Sequence, residues 1–274
     1  MILDKIKLEN TQMKLGIILI LLPILLALAG PYFTQNDTTS VSPANRLESP
    51  HLQNFMGTDN LGRDIFARTC SGIKISLFIG FSVTLVSLII GVFIGTISAY
   101  YPITEKFLMR VVDAIMAFPT IILAIALAGI LGAGVKNIII ALSISYFPMI
   151  ARIAYNSVKQ VKETEYVEST IAIGKGDLYI ITHCILPNII SPIIVQTTYI
   201  FAMAILNESI LSFLGVGIQA PMPSLGGMVN DGRNYFMTAP WIMTFPGLTI
   251  SLIVFSLNTF GDGLRIYYDP RERN

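Results

Sequence analysis

Apolar residues gather along the chain into six runs, covering about residues 15–33, 73–101, 107–131, 136–155, 188–213 and 240–262. Each run is roughly twenty residues or more, the length an α-helix needs to cross a bilayer core of about 30 Å. The pattern predicts an all-α integral membrane protein with six transmembrane helices. The first run follows a basic flank and contains Ala27-Leu28-Ala29, as a cleaved signal peptide would. Its length, and its place at the head of a multi-span chain, favour an uncleaved first span. Residues 34–72 read as a polar loop outside the membrane, 73–267 as the membrane core, and 1–14 and 268–274 as polar ends.

The polar interval within 156–187 stands out. Its segment from Gln160 to Pro187 carries Lys162, Glu163, Glu165, Glu168, Lys175 and Asp177, too many charges for a bilayer. It reads as two short helices. Thr164 caps the first, on which Val167 and Ile171 lie one turn apart. Gly174 and Gly176 interrupt it. Asp177 caps the second, whose Leu178, Ile181 and Ile185 share a face, and Pro187 marks the return to the membrane. Two readings fit: an amphipathic connector on the lipid surface, or a rigid helix that docks into a groove on a soluble partner.

Charge placement sets orientation. The N-terminus, the turn at 102–110, the 152–187 loop and the C-terminal tail hold Lys5, Lys7, Lys14, Lys106, Arg110, Arg152, Lys159, Lys162, Lys175, Arg265, Arg271 and Arg273. The other side holds Arg46, Arg63, Arg68, Lys74, Lys136 and Arg233. The richer group is cytoplasmic by the positive-inside rule, so both termini and the 160–187 segment face the cytoplasm. Only 13% of the residues are charged and 53% are hydrophobic, and the net charge of +1 gives no reason to expect nucleic acid. Cys70 and Cys184 fall on opposite sides, as do His51 and His183, and no metal-ligand spacing is present. Trp241 and Tyr235 are placed like interfacial aromatics.

Several residues inside or beside the spans invite a role. Pro23, Pro119, Pro148, Pro192 and Pro246 favour kinks. Gly80, Gly91 and Gly95 allow close helix approach. Ions within a membrane are costly and therefore informative. Asp113 lies one turn from Arg110 and is expected to pair with it. Glu208, beside Asn207, has no local partner; it either lines a pathway, bonds a neighbouring helix, or lies near outer water. Asp262 and Arg265 look like a helix-end pair. In the external loop, Gly57, Thr58, Asp59, Gly62, Arg63 and Asp64 combine tight-turn residues with an arginine beside carboxylates. A structured cap is the expected outcome, with direct solute contact the alternative. Gly215-Val216-Gly217-Ile218-Gln219-Ala220 follows a span rather than a strand, so it is no dinucleotide fingerprint. The sequence contains no phosphate-cradling G-x-x-x-x-G-K-[ST] and no catalytic cluster.

Glu168-Ser169-Thr170, then Gly174, then Leu186-Pro187, resembles the EAA loop of ABC-importer permeases. Ser169 and Thr170 replace that family's two alanines, and Cys184 stands where isoleucine is usual. The stretch from Gly57 to Asp64 resembles the GTDxxGRD signature of the peptide/nickel subgroup. Leu211 to Pro221, Asn258 to Arg265, and Asp269-Pro270 resemble further motifs of that subgroup, in the right order. The chain is thus similar to the C-type permease of dipeptide, oligopeptide and nickel importers.

That resemblance implies a type I importer permease fold in a bacterial cytoplasmic membrane. It implies a heterodimer with a second permease, two cytoplasmic ATPase subunits that hold ATP and Mg, and an extracytoplasmic solute-binding protein. No cofactor is expected on this chain, and it is not expected to be an enzyme. Glu165, Tyr166, Val167, Glu168, Ser169, Thr170, Ile171 and Gly174 would form the helix that docks on an ATPase. Asp113 and Glu208 are the pathway candidates. A secondary transporter driven by an ion gradient is the rival reading, weakened by the few charged residues at mid-span.

Overall fold

A computed structural model describes residues 11–33 and 38–268. Among these residues the chain is helical, with no extended strand. Its elements are α1 (Thr11–Phe33), α2 (Ile65–Tyr100), α3 (Pro102–Met116), α4 (Thr120–Leu131), α5 (Val135–Lys162), α6 (Glu165–Ala172), α7 (Asp177–Tyr179), α8 (Leu186–Phe213), α9 (Leu225–Gly232) and α10 (Trp241–Tyr268). Five helices are long and apolar enough to cross a membrane, and α3 with α4 makes a sixth if the bent pair counts as one span.

Several boundaries differ from the sequence expectation: α5 runs on to Lys162, past residue 155, and α10 to Tyr268, past residue 262. The second span begins at Ile65, because Asp64 caps it: its carboxylate accepts from the Phe66 and Ala67 amides at 2.8 and 3.4 Å. Arg68 and Thr69 hid this start from the hydropathy pattern, yet both are buried. The third span is not one rod. It breaks by 91° between α3 and α4, where Pro119 lacks an amide donor and disfavours helical geometry at Phe118. The fifth span does not begin at residue 188. One helical rod runs from Asp177 to Phe213, and a π-helical segment over Ile180–Ile185 joins α7 to α8. Pro187 therefore falls inside the rod, where its missing N–H removes the regular bond to His183.

Packing centres on α2 and α5, the most extensively paired helices. Ile79, Val83, Ala128, Leu142, Ile150 and Ile200 form a core shared by α2, α4, α5 and α8. Lipid is as apolar as leucine, so helices associate by fit rather than by escape from water. Glycine supplies that fit. A Cβ on Gly91 would stand 2.6 Å from Ile150 Cβ, and one on Gly95 would stand 2.4 Å from the Ala151 carbonyl oxygen. On the far side of the bundle α1 packs against α10, with Gly16 against Phe260 and Gly263 against Met13.

Gly95→Leu is expected to split the α2–α5 contact and cost about 3 kcal/mol, read as loss of monodisperse protein in detergent. Gly129→Ala, which meets nothing within 4 Å, serves as the control and should leave the yield unchanged.

Candidate coupling site

α5 ends at Lys162, and α6 begins at Glu165, after two connecting residues. Thr164 occupies the cap position, but its hydroxyl turns back to the Val161 carbonyl at 2.5 Å instead of capping the amides ahead. Gly174, at φ +79, then adopts a left-handed conformation that ends the turn. Val167 and Ile171 do not share an environment as their spacing suggested. Val167 is 0% exposed and plugs a cluster of Tyr100, Ala154, Val158, Ile180, Ile185 and Ile189, whereas Ile171 is 45% exposed. Glu165, Glu168 and Ser169 are exposed, and Thr170 is half-buried. The Ser169 and Thr170 hydroxyls donate back to the Glu165 and Tyr166 carbonyls at 2.7 Å each, so both are spent within the helix.

Beyond the plug, hydrogen bonds tie α6 to the rest of the bundle. The Tyr166 hydroxyl donates to the Cys184 carbonyl at 3.0 Å and accepts from Asn188 Nδ2 at 2.9 Å. Asn188 Nδ2 also reaches the Cys184 carbonyl at 2.6 Å. Cys184 sits in the π-helical segment, so α6 is anchored where the regular ladder is disturbed.

Asp177 does not cap its helix; Gly176 holds that position. The Asp177 carboxylate instead accepts from the Tyr100 and Tyr101 hydroxyls at 2.9 and 3.0 Å, joining the end of α2 to the start of α7. That hydrogen bond, first among the causes, raises the Tyr101 phenol above its ordinary pKa. Lys162 Nζ donates to the Tyr100 carbonyl at 2.9 Å and lies 4.9 Å from the Tyr100 ring centre. Sequence reasoning missed Tyr100, Tyr101 and Asn188. Their partners lie 77, 76 and 22 residues away, and no local pattern announces such pairs.

The remaining candidates fall elsewhere. Asp113 pairs with Arg152 of α5 and not with Arg110, because α3 turns that face toward α5, where Met109 and Val112 pack on Phe147 and Ala151. Glu208 is fully enclosed by this chain. Its carboxylate accepts from Ser76 of α2 and from Ser212, both at 2.8 Å, and Ser212 Oγ accepts the Ile218 amide at 3.1 Å. Among its three expected settings, the geometry is that of a bond to a neighbouring helix.

The motif from Gly57 to Asp64 forms a folded cap. Asp59 accepts from the Leu61 and Arg63 amides at 2.8 and 2.9 Å and from Arg63 Nε at 2.6 Å. Gly57 and Gly62 hold φ of +75 and +74, and a Cβ on Gly62 would stand 1.9 Å from the Ser42 carbonyl oxygen. Thr58 Oγ1 donates to the Asn45 carbonyl at 2.5 Å. Trp241 is part of this cap and not a lipid-facing anchor: its Nε1 donates to the Thr58 carbonyl at 3.2 Å. Arg63 Nη2 also lies 3.7 Å from Asp231, whose carboxyl is pushed up by burial and held back by Arg63 and Arg68. Among the described residues no group of three His, Cys, Asp or Glu is placed to hold a metal ion. Asp269-Pro270 lies outside the described residues.

An eight-residue helix is thus plugged by one valine and pinned to the ends of three long helices. Residues 87–274 match the family described as binding-protein-dependent transport system inner membrane component. The chain belongs to that family. It is 41% identical, over 97% of its length and 88% of the relative's, to the dipeptide transport system permease protein DppC of Alkalihalophilus pseudofirmus. It is 37% identical, over 97% of its length and 87% of the relative's, to the oligopeptide transport system permease protein OppC of Bacillus subtilis. In three dimensions it resembles the inward-facing MetNI methionine ABC transporter with a TM-score of 0.59 at 16% identity, covering 72% of this chain and 94% of that one. That likeness shows the ABC-importer permease fold. The chain is a membrane-spanning permease subunit and not itself an enzyme.

Val167→Asp is expected to place an uncompensated carboxylate in the cluster beneath α6, at a cost of several kcal/mol. The helix should detach, seen as faster protease cleavage between residues 163 and 176 in vesicles, with the spans still inserted.

Proposed function

We propose that this chain is one permease of an ATP-driven peptide importer in a bacterial inner membrane. It pairs with a second permease and receives its solute from an extracytoplasmic binding protein. Both termini and α6 face the cytoplasm, where two ATPase subunits hold ATP and Mg. The observation that carries the reading is the bracing of α6 described above. Its outer surface presents Glu168 with Tyr166 and Ile171, each 45% exposed, while its inner surface is locked to the ends of α2, α5 and α8. A helix so held moves as a rigid body with the bundle when a docked partner moves.

Each residue then has a task. Glu168 anchors α6 in a groove on the ATPase, and Tyr166, Thr170 and Ile171 supply contact area. Glu165 and Ser169 flank that contact. Val167 and the Tyr166 hydroxyl pass the motion inward, and Gly174 permits the sharp exit that sets the angle of α6. Closure of the ATPase pair would open the pathway outward through α5 and α8, and hydrolysis would reset it. The named relatives are di- and oligopeptide permeases, which supports peptides over nickel as the solute.

Glu168→Arg and Gly174→Leu are to be assayed in the reconstituted complex for binding-protein-stimulated dipeptide uptake. Losing one paired contact of about 1.4 kcal/mol lowers uptake roughly tenfold. A side chain forced into the left-handed region at Gly174 costs about 1–2 kcal/mol, with a similar loss. Full uptake by both variants would refute the docking role.

A further inference from the structure

α8 carries two different faces through the bundle. On one, Leu186, Ile189 and Ile193 join Leu88 and Val92 of α2 in an apolar groove of about 810 Å³. On another, Gln196 and Tyr199 meet Asn258, Asp262 and Arg265 of α10 around a cleft of about 200 Å³. A further cavity of about 440 Å³ adjoins this cleft through Gln196 and Arg265 and reaches Ser191.

On α10 the cleft's polar residues share one face: Asn258, Asp262 and Arg265 recur at spacings of four and three. Asn258 is half-buried, and the other two are exposed. α1 does not cover this face; it packs where Phe260 and Gly263 meet Gly16 and Met13.

The two faces of α8 ask for different surroundings. The apolar groove is satisfied by lipid chains. Amide and hydroxyl groups turned to hydrocarbon would lose their hydrogen bonds, at several kcal/mol each. Side chains placed this way along two adjacent spans belong against water or a polar solute. The cleft supplies neutral donors and acceptors at Gln196, Tyr199 and Asn258, and opposite charges at Asp262 and Arg265. A peptide main chain offers amide N–H and C=O groups whatever its side chains, and its termini carry opposite charges.

We propose that this face of α8 and α10 lines the solute path, and that Gln196, Tyr199 and Asn258 hydrogen-bond the main-chain amides of a passing peptide. The peptide part rests on the function proposed above; the water-lined path does not. Contacts to the main chain alone are weak and blind to sequence, as conduction through a path requires, since solute must leave as readily as it enters.

The test uses the assembled complex with its ATPases and binding protein in vesicles. Gln196→Cys and Asn258→Cys are compared with Phe93→Cys, which lines the apolar groove. The probe is a trimethylammonium methanethiosulfonate, with labelling of the native Cys70 and Cys184 subtracted from the parent complex. Only a hydrated thiolate reacts, so positions 196 and 258 should label at least about tenfold faster than 93. Rates no faster than at 93 would overturn the path. Gln196→Leu and Asn258→Leu should lower uptake of two dipeptides of different side chains by the same factor. Unequal factors would overturn the main-chain contacts. Fast labelling in a complex that imports no dipeptide would overturn the peptide reading, and those contacts with it, while supporting the water-lined path.

Discussion

How closely α2 and α5 approach governs where everything else lies. Hydrocarbon gives two helices no reason to meet beyond their fit, so each ångström between the backbones matters. Gly91 and Gly95 let the Ile150 side chain and the Ala151 carbonyl come within a distance that no Cβ would allow. Ser87 Oγ reaches the Ser143 carbonyl at 3.4 Å across the same seam. α6 hangs two residues below the end of α5. The seam between α2 and α5 therefore sets the height and angle of α6.

Buried polar groups then fix how the other helices join that pair. Glu208 bonds Ser76 on α2 and Ser212 on its own helix, while Tyr146 on α5 meets Asn207 on α8. In a bilayer such groups have no water to fall back on, so one arrangement that satisfies them all is strongly preferred over a slipped register. Through Ser212 the Glu208 carboxylate also steadies the turn at Ile218. This network positions the stretch after α8 without giving Glu208 any open surface.

Much of this architecture was legible from periodicity and length. The apolar runs located the spans, and the polar interval around Glu168 located α6. What hydropathy misread, it misread for local reasons. Arg68 and Thr69 are polar yet buried, so the pattern placed the start of α2 at residue 73 and not at Ile65. The residues of α3 and α4 make one apolar run, and Pro119 gives a possible break but not its angle. The outward parts of α6 followed from charge and motif. The inward parts did not, because the hold on Tyr166 and Asp177 comes from residues distant in sequence. Asp177 illustrates the limit: its position suggested a cap, but two tyrosines ending a different helix offered its carboxylate better donors.

The cap built on Gly57 to Asp64 has a mechanical consequence. Trp241, the first residue of α10, is fastened to Thr58, and Gly57 lies against the same indole; Asp64, a few residues on, starts α2. The Ile65 end of α2 and the Trp241 end of α10 are thus riveted to one small roof and cannot spread apart there. α6 packs against Tyr100, at the opposite end of α2. With one end clamped, such a lever can only swing, so a small displacement of α6 would become a tilt of α2 about a fulcrum at the cap.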